Sequence, residues 1–139
     1  MPKKNMATLS DNSGPVTRED AIAEDTAAYL VLCSNTISGI DDALALLNSR
    51  KNSMDTPADE SRMIEFEIGD QIAKKARVMA IRTAFVANQR AMKAPTIDMS
   101  KTAENLLKVL DQMTAANVTA SQVVVTSTQL FKIWQRTEA

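Results

Sequence analysis

The sequence predicts an all-α fold: an antiparallel bundle of three long helices, about 17–49, 57–93 and 99–135, with a break near 34–39 in the first as the variant that would make four. Three observations predict it. Apolar residues recur at spacings of three and four through most of the chain. Only 3 Gly and 4 Pro punctuate 139 residues, too few for the many turns of an all-β fold. Helix-start signals occur at three well-separated places, and near-equal helices joined by short loops pack antiparallel.

Residues 1–16 are polar, contain Gly14-Pro15, and read as a flexible arm outside a single domain of 17–139. The first helix opens at Thr17-Arg18-Glu19-Asp20, where Thr17 can cap and Asp20 stands at the reciprocal position of a capping box. Its seam is Ala23, Thr26, Leu30, Cys33, Ile37, Ile40, Leu44 and Leu47, widened by Leu32, Ala43 and Leu46. Its remaining surface is acidic: Glu19, Asp20, Glu24, Asp25, Asp41 and Asp42. The run Ser34 to Gly39 is poor helix material, hence the expected weak point.

The second helix opens at Thr56-Pro57-Ala58-Asp59, with Pro57 at the first helical position, where a missing N–H costs nothing. At 100° per residue, Gly69, Ala73, Ala76, Ala80, Thr83, Ala84, Ala87, Ala91 and Ala94 share a face that carries nothing larger than Thr and no charge. Such a face lets another helix approach closely, because no bulky ridge holds it off. Ala as a simple helix former on a solvated surface is the competing explanation. Val78, Ile81, Phe85 and Met92 form one bulky stripe, and Ile68, Ile72, Met79 and Val86 a second. Lys75, Arg82, Arg90 and Lys93 interleave with the second stripe as a candidate basic surface. Three sectors of one helix thus seek contact, whereas a helix in a three-helix monomer has two neighbours. This excess is the main sequence argument for self-association or a partner.

The third helix starts at Asp98 to Ser100, after Pro95 has ended the second. Its seam is Ala103, Leu106, Leu110, Met113, Asn117, Ala120, Val124, Ser127, Phe131 and Trp134. Asn117 on a seam would set register or oligomeric state, and Trp134 is either an interface anchor or the cap on one end of the core. Val118 to Thr128 is rich in β-branched residues, yet the helical spacing runs through it without a turn signal, which favours helix.

Composition narrows the function. The chain has no His and a single Cys, so histidine-based catalysis, His-containing zinc sites and an internal disulfide are excluded. No glycine-rich phosphate loop is present, and no acidic cluster suggests carboxylate chemistry. No enzymatic activity, no cofactor and no metal are therefore expected. Seventeen acids against sixteen bases leave a net charge of -1, and aromatics are 4%, which disfavours nucleic-acid binding, with the basic segment 74–93 as its one candidate. The N terminus does not read as a signal peptide, and the longest uncharged run, Gln112 to Phe131, is half polar, so no membrane span is expected. That places the protein in the cytoplasm or among those exported without a cleaved signal. The expected function is that of a non-catalytic helical protein acting by self-assembly or by docking into a larger protein complex, such as a bacterial secretion or phage apparatus. The alternative is a small inhibitor, immunity or chaperone-like protein that meets one dedicated partner through the acidic face of the first helix.

Overall fold

A computed structural model describes residues 14–139. It is an all-helical bundle with four helices: α1 (Ala23–Lys51), α2 (Ala58–Val86), α3 (Ile97–Asp111) and α4 (Ala120–Gln135). The division falls in the expected third helix, and α1 runs unbroken through Ser34–Gly39. Tertiary packing supplies what local propensity lacks there. Thr36 is fully buried with its hydroxyl donated to the Leu32 carbonyl at 2.8 Å, and Gly39 lets Leu130 of α4 sit against the α1 backbone.

Helix α1 is the hub. It packs on all three other helices, α3 packs on α4, α2 meets α4 mainly through side chains, and the α2 and α3 backbones do not approach each other. Directions alternate. Leu32 and Asn35 line a cleft with Ser100 and Glu104, and Asp42 faces Asp111, so α3 runs parallel to α1. Glu60 meets the start of α4 and Arg77 meets Glu138 just beyond its end, so α4 runs parallel to α2. By length and composition α1 would pass for a membrane span, but its apolar side is what the other helices pack against.

The buried stripe of α1 is Tyr29, Leu32, Cys33, Thr36, Ile40, Ala43 and Leu47. It coincides with the expected seam at Cys33, Ile40 and Leu47; Leu30, Ile37 and Leu44 are half-buried beside it, and Ala23 is exposed. Tyr29 meets Phe85 edge-on at 4.8 Å between ring centroids, and Trp134 closes the same end of the core at 0% exposure. Asp25, expected on the acidic surface, is buried at 6% exposure.

Helix ends differ from expectation for identifiable reasons. Thr17 and Asp20 do bond to each other, but within an isolated turn; α1 begins later, at Ala23, with Ile22 as an N-cap that offers no side-chain bond. Pro57 is the N-cap of α2 rather than its first residue, while Thr56 turns its hydroxyl back to the Arg50 carbonyl. Helix α2 stops at Val86, not 93, because Asn88 adopts a left-handed φ of 59°. The Asn88 and Gln89 amides then bond to the Phe85 and Ala84 carbonyls, the paired closure of a Schellman motif. Helix α3 is capped by Thr96, whose hydroxyl accepts from the Met99 amide at 3.1 Å.

The expected third helix breaks at 112–119, where short polar side chains outcompete the helical backbone. Asn117 Oδ1 accepts from the Thr114 amide at 3.0 Å. Thr119 and Gln122 then form a full capping box that starts α4. The β-branched run is helical from Ala120 onward.

Three backbone segments meet at one end. Met92, in the connector after α2, pairs with Val16 on one side and Glu138 on the other as isolated bridges. Val16 is thereby bonded in both directions to Met92, at 2.7 and 2.8 Å. Of the expected arm, residues 1–13 lie outside the described residues.

Candidate docking surface

Helix α2 buries Ile64, Gln71, Val78, Ile81 and Phe85 against the bundle. Of the two bulky stripes expected on it, the one through Val78, Ile81 and Phe85 is therefore the core side. The opposite side is solvent-facing, and three rows at seven-residue spacing run along it. They are Phe66–Ala73–Ala80, Gly69–Ala76–Thr83 and Ile72–Met79–Val86. All nine residues are exposed. Phe66 is 73% exposed, Ile72 55%, Met79 48% and Val86 40%. Around the Gly69 Cα nothing lies within 4 Å of an added methyl. No charged side chain interrupts these rows from Phe66 to Val86, a length of about 30 Å at 1.5 Å per residue. The charges stand at the margins: Arg62 and Glu65 at the amino-terminal end, Asp70 and Arg77 along one flank, Lys75 and Arg82 along the other.

Gly69, Ala73, Ala76, Ala80 and Thr83 of the expected interface thus lie together on this side, with Ala84 half-buried at its edge. The rest do not continue it. Ala87 is the C-cap and Ala91 lies in the connector, because the Asn88 cap has ended the helix. Ala94 is buried. Asn117 is exposed, but in the α3–α4 turn and not on a helical seam. Trp134 has no exposed surface to offer a partner and caps the core. Phe66, the most exposed ring on the face, escaped sequence reasoning; its position seven residues before Ala73 was the available signal.

The four basic residues do not form one stripe. Lys75 pairs with Asp41 of α1 at 2.8 Å, and Arg82 is half-buried. Arg90 stands 3.8 Å from Glu138, which Arg77 also holds, and Lys93 lies with Arg90 past the end of α2. The acidic face of the first helix is likewise broken up, with Asp25 buried and Asp41 paired.

Other polar groups serve the fold. Arg50 grips Glu60 through two nitrogens, at 2.9 and 3.0 Å, and Glu60 also accepts from the Ala120 amide at 2.9 Å. That one carboxylate ties the α1–α2 turn to the start of α4, and the guanidinium and amide hold its pKa below the usual carboxylate range. Between α2 and α4, buried Ser127 donates to Gln71 at 2.8 Å. Asp42 is raised to about 6, by burial first and then by the Asp111 carboxylate beside it. Cys33 has no exposed surface, and burial pushes its thiol up. Among the described residues no group of three or more His, Cys, Asp or Glu side chains is placed to hold a metal ion. The chain matches no known protein family, no curated protein and no solved structure.

Proposed function

We propose that this protein is a non-catalytic helical module that works by protein–protein docking, as a subunit of an assembly or of a larger complex, through the solvent side of α2. One observation carries the reading: a surface about 30 Å long that is uncharged, part bulky and part small, and unmatched by any element of the fold. Contiguous apolar patches of this kind on soluble domains mark interaction sites more often than chance. Charged residues ring the face but do not enter it, the anatomy of an interface with an apolar centre and a polar rim.

The energetic consequence is specific. In the isolated bundle Ala80 faces water, so Ala80→Glu should alter folding stability by no more than about 0.5 kcal/mol. In a docked state the same carboxylate would overpack the contact or be buried without a partner, costing about 1–3 kcal/mol or more. A photo-crosslinking residue at Ala80, compared with one at exposed Lys132 on α4, tests the reading in the native cells. Adducts from position 80 that are absent from position 132, and that vanish with Ala76→Glu, are expected. Equal adducts from both positions, or none from position 80, would overturn it.

A further inference from the structure

We propose that residues 14–22 form a strap with a hinge at Ala21–Ile22, and that the hinge switches the chain between the clipped form seen here and a straight one in which α1 runs on to Thr17. Both halves of the straight helix already exist. The Ala21 amide bonds to the Thr17 carbonyl at 2.9 Å, the spacing of one α-helical turn. That turn carries its own cap: the Asp20 amide lies 3.4 Å from Thr17 Oγ1, and the Thr17 hydroxyl donates to the Asp20 carboxylate at 3.1 Å. Helix α1 takes up on the far side, where the Thr26 amide bonds to the Ile22 carbonyl at 3.0 Å. Between the two pieces, Ile22 has a helical φ of -69° but an extended ψ of 156°. The interruption is confined to the two hinge residues. The spacing of Thr17 and Asp20 marks a helix start, and the clipped form leaves that signal on an isolated turn.

Each form has bonds the other lacks. In the clipped form Val16 exchanges both backbone bonds with Met92, at 2.7 and 2.8 Å, and the Glu19 amide bonds to Asn88 Oδ1 at 3.2 Å. Val16 and Ala21 also pack on the rim of the core. Straightening gives these up. In exchange the carbonyls of Arg18 to Ala21 accept from the amides of Ile22 to Asp25. Helix α1 gains the side-chain cap that Ile22 does not provide, and Glu19 and Asp20 enter its first turn, where the helix dipole favours carboxylates. A near-even exchange of this kind is the condition for a two-state element. Release of the strap bares Met92, which is 1% exposed in the clipped form, and the backbone edge beside it. The core contacts of α1 start at Tyr29, beyond the hinge, so the surface of that end changes while the bundle is kept. The switch is independent of the face on α2.

Amide hydrogen exchange reads the switch at two neighbouring residues. The Met92 amide bonds to the Val16 carbonyl in the strap, whereas the Lys93 amide bonds to the Thr137 carbonyl in the tail, both at 2.8 Å. Corrected for intrinsic rates, Met92 should exchange about tenfold or more faster than Lys93, because it is freed whenever the strap lets go. Ile22→Pro holds the clipped form. Proline suits the φ of -69°, and Pro57 is the N-cap of α2 at nearly the same angles, -59° and 152°. In the straight helix that proline would have no amide for the Arg18 carbonyl and would clash with it, and it disfavours a helical Ala21. Ile22→Pro should therefore slow Met92 exchange on the order of tenfold or more and leave Lys93 unchanged. Ile22→Ala removes the β-branch and favours the straight form, so Met92 should exchange a few-fold faster, with the Cα chemical shifts of residues 17–22 moving to helical values. Met92 exchanging as slowly as Lys93 overturns the switch. So does fast exchange at Met92 that Ile22→Pro fails to slow, because a strap that only frays is indifferent to the proline.

Discussion

Replacing glycine by alanine at two positions in this protein should have different effects, and the structure fixes which of the two gains stability. Gly39 and Gly69 both lie inside helices, α1 and α2, where alanine is preferred by about 1 kcal/mol. At Gly69 an added methyl meets nothing within 4 Å, so Gly69→Ala should stabilise the fold by roughly that amount. At Gly39 the methyl would lie 2.3 Å from Leu130 Cδ2 and 3.3 Å from Leu110 Cδ1. Carbon–carbon contacts settle at about 3.5–4.0 Å, so Leu130 must retreat by more than ~1 Å. It is fully buried, and Leu110 closes the other side at 1% exposure. Overpacking of that kind costs about 1–3 kcal/mol. Set against the helix gain, Gly39→Ala should be neutral to destabilising by about 2 kcal/mol, leaving the two variants ~1–3 kcal/mol apart. Urea denaturation followed by the helical circular dichroism signal measures both. A companion variant isolates the cause. Leu130→Ala alone should cost about 2–5 kcal/mol, and adding Gly39→Ala should recover about 1 kcal/mol or more of it, because the new methyl fills part of the cavity. If Gly39→Ala stabilises as much as Gly69→Ala, or if the Gly39 and Leu130 effects simply add, α4 does not approach α1 closely at Gly39.

Two further outcomes are expected. Cys33 should react with a thiol reagent only at the rate of unfolding, because it is fully buried and burial raises its thiol pKa; labelling of native protein as fast as of denatured protein would contradict this. Asp42 titrates near 6 in the folded chain against an ordinary value of 3.8, so the folded state binds the extra proton between those values. Its raised pKa therefore lowers stability at neutral pH and returns it as the pH falls through about 6 towards 4. Asp42→Asn should melt higher than the natural chain at neutral pH, with the gap closing on acidification; a gap that widens would contradict the burial and the Asp111 contact.

Much of the architecture is set by residue spacing alone. The helical period survives the β-branched run at 118–128, and most of the inward positions on the third segment are those its seam names: Ala103, Leu110, Ala120, Ser127, Phe131 and Trp134. The break at 112–119 does not disturb them, because α4 packs back on the same core that α3 leaves. That break was itself legible, since Thr119 and Gln122 stand at capping-box spacing, as was the end of α2, since Asn is the side chain that most readily takes a left-handed φ. Both signals are local and weak beside a continuing apolar period, which is why the period overrode them.

Tertiary structure decided what periodicity cannot. The three sectors of α2 all look ready for contact in the sequence, and spacing does not say which of them meets α1. Burial of Val78, Ile81 and Phe85 under Tyr29 and its neighbours makes that sector the core and turns the Ile72–Met79–Val86 row and the small residues to solvent. The continuity of α1 through Gly39 was equally invisible. A run with poor intrinsic propensity stays helical because Thr36 is buried with its hydroxyl bonded and Leu130 fills the space above the glycine. Trp134 shows the same limit from the other side: a tryptophan near the end of a seam serves an interface or a core equally well until the position of its neighbours is known. Hydrophobic period states that a side chain leaves water, whereas only the fold states whether its own chain or another one receives it.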